Sequence, residues 1–165
     1  MGQFELTNDL MTGQSEIDEQ HQRLFELANQ LLDANAQRNA HMALLQAMAF
    51  LGGYIEYHFT AEEFVMKKTR FPHFESHKAI HDTLRGGVLE IAQTVQQMGA
   101  CEDLVRSVSA LIRVQFVNHI RAMDRQFASY SASLRHSQVP CLPSPQELKD
   151  EGLVAADLVL PDGFD

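Results

Sequence analysis

Several of the eight histidines in this chain of 165 residues are spaced for joint work with carboxylates. His58-Phe-Thr-Ala-Glu62 places an imidazole and a carboxylate four residues apart, one turn along a helix face. His77-Lys-Ala-Ile-His81 does the same with two imidazoles. Each pair alone has an ordinary explanation, a core histidine hydrogen-bonded to its neighbour. Their coincidence with His21 and His119, on two further predicted helices, points to metal ligation. Each polar group buried without a partner costs about 1–3 kcal/mol, and a bound metal removes that penalty. Asp124 is the weakest geometric candidate, because five residues of α-helix turn it about 140° from His119. On spacing alone it reads as a solvent-facing residue.

These side chains require helices to carry them. Up to Arg135 the apolar spacing is helical rather than alternating, and the only proline is Pro72. A first helix is expected from Asp18, as its cap, to about Gln37, with His21, Leu24, Phe25, Ala28, Leu31 and Leu32 on one face. A second follows Asn39 and ends near Thr69, with Leu51, Ile55, His58, Glu62, Val65 and Met66 inward. Within it, Gly52-Gly53 suggests a close helix contact or a kink. The third spans about Phe74 to Met98, with His77, His81, Leu84, Val88, Ile91 and Val95 inward and Gly99 as its stop. The fourth covers about Glu102 to Leu134, with Val105, Val108, Ile112, Phe116, His119, Ile120, Met123 and Phe127 inward. Four long helices with short connections predict an all-α, antiparallel up-down-up-down four-helix bundle over residues 1–136, preceded by an N-terminal loop.

The remaining residues, 137–165, read as an acidic tail or linker holding four of the five prolines. Ser144-Pro145-Gln146-Glu147 is a capping-box pattern with proline at the first helical position, and Gly152 offers a stop. The tail is either a linker to a further domain or an arm docked on the bundle. Formal net charge is -9, and six acidic against one basic residue of the tail account for more than half of it. No Lys/Arg-rich block occurs, which argues against nucleic acid or an anionic membrane surface as partner. No apolar run reaches the ~18 residues of a transmembrane helix, and Met1–Leu10 lacks the pattern of a signal peptide, so a cytoplasmic address is expected. Cys101 and Cys141 form no CxxC pair and suit a reducing compartment.

Other chemistries find less support. A ferritin-like bundle would use Glu-x-x-His pairs, and none occurs. There is no HExxH, and five histidines exceed what one zinc needs. There is no GxSxG, and Cys101 has no evident base beside it. His41, His73 and His136 read as surface or capping residues, and Met48, Met66, Met98 and Met123 as core filler.

Taken together, Ile17-Asp-Glu-Gln-His21, His58-Phe-Thr-Ala-Glu62-Glu63, His77-x3-His81 and His119-x4-Asp124 closely resemble hemerythrin, specifically the bacterial hemerythrins, over roughly residues 4–130. The resemblance implies a non-haem centre of two iron ions that binds dioxygen reversibly and is not an enzyme. It places His77, His81 and His119 on one iron, and His21 and His58 on the other, which keeps an open position. Glu62 and Asp124 would bridge them together with an oxo or hydroxo group, so the resemblance also gives Asp124 a role that spacing alone did not. Where relatives commonly carry tryptophan, four residues before the helix-four histidine, this chain has Gln115, followed by Phe116; both are candidates for the ligand pocket. If Gln115 faces that pocket, a wetter site and faster autoxidation are expected. Phe4 stands in for a family tryptophan near the N-terminus. Two uses remain open: oxygen carriage, or oxygen and redox sensing relayed through the tail to a downstream signalling domain. Turnover of peroxide or nitric oxide is a third.

Overall fold

A computed structural model describes residues 4–36, 40–99, 101–134 and 141–158, and the ordered segments among them are helical, without strands. Helix α1 spans Ser15–Ala36, α2 Ala40–Thr69 and α3 Phe74–Met98. Helix α4 runs continuously over residues 102–133, and α5 is the short tail helix Pro145–Asp150. Helices α1 and α2 pack together, as do α2 and α3, and α4 closes the bundle against α1 and α3. No described helix is long and apolar enough to cross a membrane.

The apolar stripes meet as expected. Leu24, Phe25, Ala28 and Leu31 of α1, Leu51 and Ile55 of α2, Leu84, Val88 and Val95 of α3, and Val105, Val108, Ile112 and Phe116 of α4 form one core. Val65, Met66, Phe71 and Phe127 form a smaller cluster. Met98, expected in the core, is 80% exposed in the last turn of α3, where the bundle no longer covers that face.

Helix α1 begins at Ser15, ahead of the expected cap. Asp18 lies inside its first turn and reaches back, accepting from Thr12 N (2.7 Å), Thr12 Oγ1 (2.8 Å) and Gly13 N (3.0 Å). Gly13, at φ +82°, makes the turn that brings those donors within reach. Helix α2 passes through Gly52-Gly53 unbroken, and a Cβ on Gly52 would meet nothing within 4 Å. A close helix approach lies at Gly87 of α3, where a Cβ would sit 3.2 Å from Leu111 Cδ1 of α4. Helix α2 ends where Arg70 adopts φ 55° and the Phe71 N–H donates back to Met66 O at 2.9 Å. Gly99, at φ +77°, ends α3 as the sequence predicts.

The tail docks. Ser144 Oγ accepts from Glu147 N while Glu147 Oε2 accepts from Ser144 N, so the predicted capping box forms. Leu148 is fully buried in the main core and Pro143 is buried against α2, where Tyr57 donates to its carbonyl at 3.2 Å.

Candidate metal centre

Helix α4 changes pitch where the chemistry lies. Leu111–Phe116 and Ile120–Asp124 are π-helical, joined by the α-turn Val117–His119. A π-turn bonds residue i to i+5 and gathers one more residue into the turn. This widening brings Asp124 onto the face of His119, against the 140° separation expected of a regular helix. The periodicity of the sequence carries no mark of it; five-residue spacing between two polar groups was the one available signal. In this stretch Gln115 is exposed, which sets it apart from a pocket wall, while Phe116 is buried.

His21 of α1, His58 and Glu62 of α2, His77 and His81 of α3, and His119 and Asp124 of α4 converge in the interior, none more than 3% exposed. Two groups emerge with donor atoms within 4.8 Å of one another: Glu62, His77, His81, His119 and Asp124, and His21, His58 and Asp124. Asp124 belongs to both. Its Oδ1 lies 2.8 Å from His119 Nε2 and 3.1 Å from His77 Nε2, while its Oδ2 lies 3.2 Å from His21 Nε2. Glu62 Oε2 is 3.5 Å from His81 Nε2, 3.7 Å from His77 Nε2 and 4.0 Å from His58 Nε2.

The outward bonds of two rings fix which nitrogen faces inward. His58 Nδ1 lies 2.6 Å from Gln20 Oε1, and His81 Nδ1 lies 3.0 Å from Glu63 Oε1. Both oxygens are acceptors, so each Nδ1 carries the proton and each Nε2 turns a lone pair into the site. Ligand spacing did not reveal Gln20 and Glu63 as the partners of these rings, although each adjoins a candidate ligand in the sequence.

Electrostatics agree with a cation. Burial, then the neighbouring His21, pushes His58 well below its ordinary value, and burial likewise lowers His77 and His81. Each shift favours the neutral ring that metal ligation needs. Burial, followed by the Asp124 and Glu63 charges, raises Glu62 well above the usual carboxylate range. Burial acts to raise Asp124 too, but the close imidazoles of His119, His21 and His77 hold it well below that range. Even so, His21 Nδ1 and Nε2, His58 Nε2, both Glu62 oxygens and Asp124 Oδ2 are buried without a hydrogen-bond partner. So many inward lone pairs and carboxylate oxygens form a costly arrangement alone, and metal cations satisfy them. The donor set fits.

Aromatic rings wall the cluster. Phe59 stacks on His81 with centroids 3.9 Å apart, and Tyr54 stacks on His58 at 4.9 Å. Phe116 packs against Phe59 and Tyr54. Phe4 stacks on Phe25 and is held through its backbone by the Asn29 amide. His41 and His73 are exposed and join neither group, and His136 lies outside the described residues.

The family model for the hemerythrin HHE cation binding domain matches residues 12–130. A bacteriohemerythrin of Pseudomonas aeruginosa is 35% identical over 130 residues, covering 79% of this chain and 80% of the relative. One from Methylococcus capsulatus is 30% identical over 110 residues, covering 67% and 82%. A hemerythrin-like protein of Naegleria gruberi is 32% identical over 124 residues, covering 75% and 90%. No solved structure matches significantly.

Proposed function

The chain belongs to the hemerythrin family, and from that premise we propose that it binds dioxygen reversibly at a centre of two iron ions held by His21, His58, Glu62, His77, His81, His119 and Asp124. The observation that carries the reading is Asp124, whose two carboxylate oxygens face imidazoles from different sides of one buried cluster. When bound, the metal pair supplies the electrons that dioxygen takes up and returns.

The protein's own residues do the rest. His77, His81 and His119 fill one side, with Glu62 and Asp124 completing a group of five donors. His21 and His58 with Asp124 offer only three on the other side, which leaves room there for an exogenous ligand. The outward bonds to Gln20 and Glu63 hold two of the rings in the ligating tautomer. Tyr54, Phe59 and Phe116 keep water from the cluster, which favours release of the bound gas over irreversible oxidation. The protein acts as a binder rather than a catalyst, and the up-down-up-down order of the four helices is part of the same reading.

Between carriage and sensing, the docked tail favours sensing. Tyr57, which holds Pro143, directly precedes the ligand His58 on α2, so a shift of that helix is felt by the tail. Reduced, iron-loaded protein should take up about one dioxygen per centre in an oxygen electrode and release it on degassing, by the two-metal stoichiometry of the donor set. Uptake that continues catalytically, or none at all, contradicts the reading. Tail cleavage by protease that is unchanged between deoxygenated and oxygenated protein would leave carriage as the use.

A further inference from the structure

His81 and His58 are backed by groups of different charge. Behind His58 stands the neutral amide of Gln20, with Tyr54 on its ring face. Behind His81 stands the carboxylate of Glu63, whose Oε1 lies 3.0 Å from His81 Nδ1 and also accepts from Arg85 Nη1 at 2.9 Å. Phe59, stacked on His81 at an interplanar angle of 6°, carries the Arg85 guanidinium 5.4 Å from its own centroid. One cation therefore reaches one ligand ring by two routes, through a shared oxygen and through an aromatic face.

We propose that Glu63 and Arg85 are positioning residues that tune the metal on the His77, His81 and His119 side: Glu63 strengthens His81 as an electron donor, and Arg85 limits that effect. This rests on the donor set being a two-iron centre. A carboxylate accepting the Nδ1 proton polarises the ring and raises the basicity of the opposite nitrogen, which favours the more highly charged state of a bound metal. Arg85, donating to the same oxygen, withdraws charge from that hydrogen bond. Glu63 is buried, so little water screens the exchange.

The two residues must therefore act with opposite sign, which a simple structural prop does not. The test uses the full iron-loaded chain and compares wild type with E63Q, R85M and D82N. Asp82 is the other acceptor of Arg85, at 3.1 Å, and its exposed carboxylate is also held by Lys78. The readouts are iron per chain, the reduction midpoint of the centre, and the autoxidation rate. R85M should lower the midpoint and speed autoxidation about tenfold; E63Q should raise it and slow autoxidation by a similar factor. D82N should stay at the wild-type values. Arg85 lies partly exposed at the bundle surface, and the sign of the R85M shift alone decides if E63Q fails to hold iron. Shifts of the same sign, or none in R85M, overturn the tuning while two irons per chain leave the di-iron reading intact. A wild type that takes up no iron pair removes both.

Discussion

Replacing Gln20 with Leu tests whether the two sides of the cluster are separately supported. Gln20 is buried, and its Oε1 lies 2.6 Å from His58 Nδ1. Leucine keeps the volume and removes the acceptor, so a buried N–H loses its partner at a cost of about 1–3 kcal/mol. At about 1.4 kcal/mol per factor of ten, that corresponds to roughly 5- to 150-fold in affinity. It agrees with the ~10–100-fold loss expected when a ligand histidine loses its outer hydrogen bond. His58 groups with His21 and Asp124, while Glu62, His77, His81 and His119 lie in the other group. The loss should therefore fall on one of two metal positions. Metal-free protein is titrated with zinc, a redox-silent probe, against a chromophoric chelator. Wild type should show two tight sites, and Q20L one tight and one weakened by that factor. Equal weakening of both sites, or no weakening, refutes the reasoning.

Other consequences are equally open to measurement. In metal-free protein, Glu62 is raised in the folded state above its ordinary value of 4.5. Its contribution to stability is fully present below that pH and lost as pH rises through the folded value. E62Q should therefore melt higher than wild type at pH 7, with the gap closing towards pH 4, by calorimetry of the metal-free forms. His58, His77 and His81 have the opposite sign: lowered from 6.5, they destabilise the metal-free fold as pH falls below that value. Bound zinc, competing with those protons, should move the acid transition lower. L148A removes a fully buried side chain and costs about 2–5 kcal/mol locally; limited proteolysis should then cut the tail while iron content stays unchanged. Q115W, at an exposed position, should leave the autoxidation rate unchanged, whereas F116A, which opens the wall beside Phe59, should raise it.

Most of the helices could be read from the chain because their signals are local. Periodic leucines and valines, the Phe71-Pro72 break and Gly99 placed α2 and α3 within a residue or two of where they lie. The start of α1 was missed because Asp18 behaves like a cap yet bonds backward to Thr12 and Gly13 from inside the helix. Tail docking was undecided in the sequence, since Leu148 finds its cavity only once α2 and its neighbours are assembled. At the site, the i,i+4 pairs of α2 and α3 could be seen directly. Asp124 could not, since a π-turn has no sequence periodicity of its own and only the family resemblance supplied the assignment. Gln20 and Glu63 escaped for a different reason: their partners are 38 and 18 residues away, so spacing along one helix cannot show them.

The most direct measurement is the iron content of the purified chain, taken with its visible spectrum through a cycle of anaerobic reduction, exposure to air and degassing. The account predicts about two irons per chain, as a two-metal carboxylate-bridged site requires, and a charge-transfer band that appears in air and disappears on degassing. A single zinc, or no metal at all, would contradict the ligand assignment. Two irons that oxidise at once and never deoxygenate would contradict reversible dioxygen binding.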